Sequence, residues 1–476
     1  MSGALHIQRQ NYHATGAARR RVLLHVPTTS VFELDRVSSD VLDFLEESES
    51  IVSDAVRSRF DGLYAPGEVC DALSDFVALG ILAPARKEYS IAPRPVTRTP
   101  LNTLVLTLTT GCNLGCSYCY REDLDAPKAA RVMERATALQ AIDLLMRQAA
   151  DQERVAIVFF GGEPLTRFAD IRALTEAAEA RAMKAGKRVD FSLTTNATLL
   201  DDAMIEFFRA HRFGIAVSMD GDEVEHDRRR ITLGGKGTYK LVAANVRRLL
   251  QAGLERPPGA RVTLTRGSGE VGRIYRHLHE EIGFSEIGFA PVTADPGSPL
   301  GLGAAEMRRV LDGMIALGRD YADAAKRGER HGFSNMDHLM LDLWRGTRKT
   351  LPCGAGVGLL AAGTDGSLSL CHRFTGTGVG SFGDVANGID QNGLGHFLDR
   401  AQAAHPACDA CHARSICAGG CYHEAYVHSG DPLAATFGHC EFVRAWLEFG
   451  LACYGEIAIA NPGFFAAKFA ERKERS

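Results

Sequence analysis

From Leu104 to Phe289, short apolar runs alternate with longer stretches whose apolar positions recur every three or four residues. The short runs lie near Leu104–Leu108, Val155–Phe160, Val189–Thr194, Gly214–Ser218, Arg261–Thr265 and Glu286–Phe289, and they have the length of strands. The longer ones, such as Ala136–Ala149, Ile171–Ala185 and Tyr239–Ala252, have the helical period. This alternation predicts parallel βα units. Six units fall short of the eight of a closed barrel, so the expected fold is α/β, a partial (β/α)6 TIM barrel with its chemistry at the C-terminal ends of the strands.

The flanks differ. Val22–Val26 and Val31–Leu34 read as two strands joined by the turn Pro27-Thr-Thr-Ser30. Two helices should follow, one capped by Ser38-Ser39 and one opened by Pro66-Gly67. Small strands followed by helices resemble a winged helix or the peptide-recognition module of peptide-modifying enzymes, which binds a leader segment by adding a strand at a sheet edge. A plain N-terminal cap on the main domain is the alternative. Residues 91–100 read as a linker, Met307 to about Trp344 as helical, and the chain from Cys353 onward as Gly- and Cys-rich. The expected domains are 1–95, 100–300, a helical linker at 301–350 and a Cys-rich domain at 351–476.

Composition narrows the class. Of 476 residues, 45% are hydrophobic and 24% charged, as in an ordinary globular protein, and the net charge of −4 favours neither nucleic acid nor anionic membrane. The basic N-terminus lacks a following apolar segment and no run is long enough to span a bilayer, so a cytoplasmic protein without membrane contact is expected. In a reducing compartment the 12 cysteines point to metal binding or catalysis rather than disulfides.

Three of them, Cys112, Cys116 and Cys119, crowd the run Gly111-Cys-Asn-Leu-Gly-Cys-Ser-Tyr-Cys-Tyr120 directly after the first strand. Tetrahedral zinc takes thiols at such spacings and would need one more ligand from elsewhere. A cubane iron–sulfur cluster normally takes four cysteines, so three would leave one iron open to a small molecule. The C-x3-C-x2-C spacing at a first strand end, with Tyr118 before the last Cys, resembles the radical S-adenosylmethionine (SAM) superfamily. That resemblance implies a [4Fe–4S] cluster whose open iron takes SAM. Phe160-Gly-Gly-Glu-Pro164 then matches the segment that holds the SAM amino group through Gly161, Gly162 and Glu163. Read alone, it is adequately explained as a βα turn needing positive φ. The polar strand ends Thr194-Thr-Asn196 and Ser218-Met-Asp220 nominate Thr194, Asn196, Ser218 and Asp220 as ligand contacts, with Tyr118. Arg230 is similar to the arginine that pairs with the SAM carboxylate in peptide-modifying members, while Arg228 and Arg229 are read as surface residues.

Downstream, Cys353-x12-Gly366-x4-Cys371, Cys408-x2-Cys411-x5-Cys417-x3-Cys421 and Cys440 resemble the seven-cysteine SPASM signature. The resemblance implies two auxiliary iron–sulfur clusters, one on Cys408, Cys411, Cys417 and Cys440, the other on Cys353, Cys371 and Cys421. Sulfatase-maturating relatives carry a further Cys soon after the first, but here Gly354–Leu360 has none, so the second auxiliary cluster is one ligand short and open to a substrate thiolate. Those relatives also carry an Asp base where His372 stands; His372 is read as a base, a cluster neighbour or a hydrogen-bonded turn residue.

Together these resemblances imply a peptide maturase that cleaves SAM to a 5′-deoxyadenosyl radical, takes hydrogen from a substrate carbon and couples that carbon to a cysteine sulfur. Its expected partners are a small protein or peptide with a leader segment and an electron donor such as flavodoxin or ferredoxin. Asn11-Tyr-His-Ala-Thr-Gly16 and Leu24–Asp35 more narrowly resemble the maturases of quinohemoprotein amine dehydrogenase, which crosslink Cys to Asp or Glu carbons in the γ subunit. Two rival readings remain. One is a sulfatase-type or carbon–carbon crosslinking maturase. The other is a winged-helix redox sensor using the basic run Arg19-Arg20-Arg21, against which the acidic balance and the SAM-type segments count.

Overall fold

The computed structural model describes residues 4–16, 21–48, 51–86, 101–120, 130–149, 152–295, 297–402, 406–434 and 439–475. Arg19, Arg20 and the linker 91–100 lie outside these residues.

All six barrel strands form where the short apolar runs predict them: Thr103–Thr109, Arg154–Gly161, Arg188–Thr195, Gly214–Ser218, Gly259–Leu264 and Glu286–Pro291. They pair in parallel and in chain order. Helices Arg135–Gln148, Phe168–Lys184, Asp202–Ala210 and Tyr239–Gln251 fall between them. Six residues of the first strand, Leu104 to Thr109, are buried, as expected of a parallel strand covered on both faces. Phe159, Phe191 and Phe213 from successive units stack at 5.3–6.1 Å between ring centroids and fill the core under the second and third strands.

The sheet does not close. Strand Leu359–Ala362 from the Cys-rich region takes the free edge of the first barrel strand in parallel, and Ser367–Ser369, Ser381–Asp384 and Gly388–Ile389 continue from it antiparallel. The result is one mixed sheet of ten strands. The Cys-rich region therefore reaches the barrel through backbone hydrogen bonds, with Gly358 O accepting from Thr103 N at 2.8 Å.

At the N-terminus, Arg21–His25 and Ser30–Leu34 form the expected hairpin, and Tyr12–Thr15 adds a third strand. A second small sheet sets Ala4–Ile7 between Ile51–Val52 and Leu82–Ala83. These extra strands are two to four residues long, too short to show a period of two. Helix Arg36–Glu46 begins one turn earlier than expected, because Asp35 caps it by accepting from Ser38 N at 2.7 Å, while Ser39 is buried. Helix Pro66–Ala78 starts at its proline as predicted. These elements enclose their own apolar core around Leu23, Val41, Leu42, Leu45 and Phe76.

One long helix, Cys440–Ala460, binds the parts together. Its glycines allow close approach: a Cβ on Gly450 would stand 2.2 Å from Leu339 Cδ2, and one on Gly455 2.5 Å from Val22 Cγ1. Among the described residues no helix is long and apolar enough to cross a membrane.

Candidate active site

The three-cysteine loop leaves the first strand and is pinned on both sides. On one side Thr109 O accepts from Gly162 N at 2.8 Å and Gly111 O from Glu163 N at 3.0 Å. On the other, Gly115 N donates to Ile231 O at 2.8 Å and Ser117 N to Arg229 O at 3.1 Å, with Leu114 buried as an anchor. Asn113 is a fastening that sequence reasoning missed: it accepts from Asn196 Nδ2 at 3.0 Å and donates to Thr198 at 2.7 Å. Cys112 Sγ accepts from Leu114 N at 3.4 Å and Asn196 Nδ2 at 3.7 Å. Burial pushes the Cys116 thiol up to about 11, opposed by Arg230 and reinforced by Cys119 and Cys112.

Gly161 sits at φ +152°, where a Cβ would meet Thr109 O at 2.4 Å, so only glycine lets the second strand end this close to the first. Glu163 turns inward. At 1% exposure its Oε1 accepts from Leu165 N (3.0 Å) and Thr195 (2.7 Å), and its Oε2 from Asn196 N (2.7 Å). Burial raises its pKa and these donors oppose the rise. The carboxylate thus braces the third strand end against the cysteine loop, a job that Thr195, absent from the expected site residues, shares. Thr194 and Ser218 stand half-buried at their strand ends, and neither hydroxyl has a partner among the described residues.

Asp220 organises the opposite wall, accepting from Tyr118 at 2.7 Å, Arg230 Nε at 2.9 Å and Thr263 N at 2.9 Å. Arg230 is 6% exposed and lies 5.3 Å from the Tyr118 ring centroid. Burial opposes its charge, yet Asp220, Tyr118 and Cys116 together outweigh burial and hold the guanidinium above its ordinary pKa. Its two Nη groups have no hydrogen-bond partner among the described residues. Thr238 donates to Arg230 O at 2.8 Å and so accepts from His226 Nε2 at 3.1 Å, which fixes the His226 tautomer and the Arg230 backbone together. The reading of Arg228 and Arg229 as surface residues is corrected. Both are half-buried, with Arg228 clamped to Glu225 and Ser268, because the turn after the fourth strand folds back against residues 267–269.

The remaining seven thiols gather in two groups. Cys408, raised by burial to about 11, senses Cys411, Cys417 and Cys440. Cys371, also raised by burial to about 11, senses Cys421 and Cys353. Backbone N–H groups two residues on reach the sulfurs of Cys353, Cys371 and Cys417, as Leu114 does for Cys112. Such donors favour thiolate. Tyr422 Oη is buried without a partner beside Cys353 and Cys421. Among the described residues no three His, Cys, Asp or Glu side chains converge on a single-ion site. All-thiol groups of three, four and three with N–H donors on sulfur are the donor chemistry of iron–sulfur cubanes, so the residues fit such clusters.

Between the cysteine loop and the Cys353 group lies a junction. His372 packs on Phe160, ring centroids 4.2 Å apart, directly before the glycine pair. Burial, Arg373 and His423 lower its pKa to about 3, so it is neutral at pH 7. Arg373 stands 5.0 Å from the Tyr120 ring centroid and donates to Thr293 at 3.1 Å. His423 lies 5.8 Å from the same ring. Arg373, His423, Tyr120 and Thr293 carried no motif that would have nominated them.

Residues 106–268, which hold the cysteine loop, the glycine pair and Arg230, match the model of the Radical SAM superfamily. The chain is similar to a serine-type anaerobic sulfatase-maturating enzyme of Klebsiella aerogenes, 30% identical over 169 residues, which are 35% of this chain and 41% of the relative. It is also similar to a cysteine-type anaerobic sulfatase-maturating enzyme of Clostridium perfringens, 26% identical over 145 residues, 30% of this chain and 39% of the relative. The chain spans less than half the length of these curated relatives. The structure of native anSMEcpe with bound AdoMet and Cp18Cys peptide shares the fold, with a TM-score of 0.63 at 19% identity over 76% of this chain and 99% of that one.

Proposed function

We propose that this chain is a radical SAM peptide maturase that joins Cys sulfur to Asp or Glu carbon in a small protein, as in the γ subunit of quinohemoprotein amine dehydrogenase. One observation carries the reading: the Cys353, Cys371 and Cys421 group has no fourth cysteine. Of the two cysteines outside the three groups, Cys70 lies in the N-terminal helix Pro66–Ala78 and Cys453 is fully buried in the long helix.

In this reading Cys112, Cys116 and Cys119 hold a [4Fe–4S] cluster with one open iron, Cys408, Cys411, Cys417 and Cys440 hold a complete one, and the third has a site for substrate thiolate. When bound, these groups and SAM supply a 5′-deoxyadenosyl radical that removes hydrogen from a substrate carbon, and a sink for the electron released as carbon and sulfur join. The chain's own residues position the reactants. Arg230, held by Asp220 and Tyr118, offers its unpaired Nη fork to the SAM carboxylate. Gly161 and Gly162 bring backbone to the SAM amino group, and Glu163 braces the wall that carries Asn196. Thr194 and Ser218 offer free hydroxyls. The substrate's leader segment pairs with the open edge of strand Ser30–Leu34 in the N-terminal module, and a flavodoxin or ferredoxin supplies electrons.

A sulfatase-type maturase is the second reading, favoured by the names of the curated relatives and disfavoured by His372 in place of the Asp base. Anaerobic reconstitution with iron and sulfide, followed by SAM, a strong reductant and the γ-subunit polypeptide, separates the two. A product two hydrogens lighter per crosslink that has also lost one alkylatable cysteine thiol supports the thioether reading. Loss of two hydrogens with every thiol retained, or with sulfur exchanged for oxygen at a cysteine, supports the sulfatase type, and absence of 5′-deoxyadenosine would sink both.

A further inference from the structure

Most charged groups along this wall have a partner in the chain. Arg230 pairs with Asp220, Arg228 with Glu225, and Glu424 with His439 at 3.2 Å. Arg373 does not. It is half-buried, its hydrogen-bond partner is the neutral Thr293, and no carboxylate lies within ion-pair distance among the described residues; Glu424, which senses its charge from farther off, is already paired with His439. A partly desolvated guanidinium with no carboxylate in contact is costly, and the cost is relieved by an anion placed against it.

A second observation points the same way. His423, on the far side of Tyr120 from the viewpoint of sequence but against the same ring, is only 6% exposed, and its Nδ1 is buried without a hydrogen-bond partner. A fixed cationic fork and an unmatched polar nitrogen thus gather around one aromatic side chain that is itself exposed to solvent. The fork matches a carboxylate in shape as well as charge.

Location gives this anion site its meaning. Arg373 follows Cys371 by two residues and its backbone N–H reaches the Cys371 sulfur; His423 follows Cys421 by two. Tyr120 directly follows Cys119, and Thr293 continues from the end of the sixth barrel strand. A carboxylate held here would set the carbons of its side chain between the SAM-type wall and the three-thiol group. Resting on the thioether reading above, we propose that Arg373, with His423 beside it, binds the side-chain carboxylate of the substrate residue to be crosslinked, and thereby selects Asp and Glu.

The test uses the reconstituted full chain and the γ-subunit polypeptide of quinohemoprotein amine dehydrogenase, in its native acidic form and with its Asp and Glu residues changed one at a time to Asn and Gln. Binding is measured anaerobically without reductant, so that no turnover is needed. Wild type should bind the acidic form roughly 10- to 100-fold tighter than the form amidated at a crosslinking position, the range for a hydrogen bond to a charged group. Arg373→Gln should bind the two forms equally, and Arg373→Lys should retain part of the preference. His423→Ala should lose a smaller part.

A structural role alone would weaken both forms alike. Equal binding of both forms by wild type, no binding of either, or a preference kept in Arg373→Gln overturns the proposal. Iron content and the thermal midpoint report whether Arg373→Gln is folded; if it is not, the acid-to-amide comparison on wild type and on Arg373→Lys still decides. The parent reading fails separately: if wild type prefers the acidic form through Arg373 yet yields no product two hydrogens lighter, the carboxylate site stands and the thioether chemistry falls.

Discussion

Asp220 concentrates three hydrogen bonds on one buried carboxylate and is the counter-charge to Arg230. Replacing it by Asn leaves the guanidinium buried without that charge. The expected cost is about 3–5 kcal/mol, read from urea unfolding at pH 7.5, together with loss of SAM binding in a filter or equilibrium dialysis assay. His226 makes a prediction about pH. Burial, helped by Arg230, depresses its pKa from 6.5 to about 3 in the folded chain. The unfolded chain takes up a proton there as pH falls through 6.5 while the folded chain does not, so stability is full above 6.5 and is lost progressively toward 3. His331 and His412 move in the same direction, mainly through burial. The unfolding midpoint should therefore drop between pH 7.5 and 5.5, and His226→Gln should flatten that drop; a slope unchanged in the variant would remove His226 from the account.

Among the elements, helix Cys440–Ala460 does the joining. It starts at a cysteine of the four-thiol group, packs along Ala304–Lys326 and Ser334–Arg345, and reaches under strand Arg21–His25. A Cβ at Gly455 has no room against Val22. Gly455→Val should cost about 1–3 kcal/mol by overpacking and should loosen the N-terminal hairpin, seen as faster hydrogen exchange of residues 21–25. Exchange confined to the helix itself would show that the contact with Val22 is not what holds the hairpin. The six barrel strands were legible because each is a short run whose apolar residues are buried at successive or alternate positions, set between stretches of helical period. The strands Ala4–Ile7, Tyr12–Thr15, Ile51–Val52 and Leu82–Ala83 were not, since their pairing partners are distant in sequence and their length gives no period.

At the scale of the whole molecule, the three parts meet through side chains and through backbone pairing. His13 of the N-terminal module stacks on His412 beside Cys411 at 3.9 Å between centroids, and the Cys-rich region extends the barrel sheet by Leu359–Ala362. In the reconstituted chain, Cys353→Ala should lower iron from about twelve to about eight per chain while SAM cleavage continues, because the thiols of the first group are untouched. Crosslinking should stop. Retained crosslinking in that variant, assayed by product mass, would remove the three-thiol group from substrate binding.

Sequence by itself determined the run of six βα units and singled out the cysteine loop, the glycine pair and ten thiols. These are local properties: a buried parallel strand must be apolar, a ligand loop must space its donors closely, and a close backbone approach demands glycine. Tertiary structure alone decided where side chains point and what they find. It turned Glu163 inward to Thr195 and Asn196, half-buried Arg228 that sequence placed at the surface, and joined the Cys-rich strands to the barrel edge. It also left Arg373 beside Tyr120 and His423 with no carboxylate in contact among the described residues, which no spacing along the chain encodes because it depends on where folding carries the carboxylates.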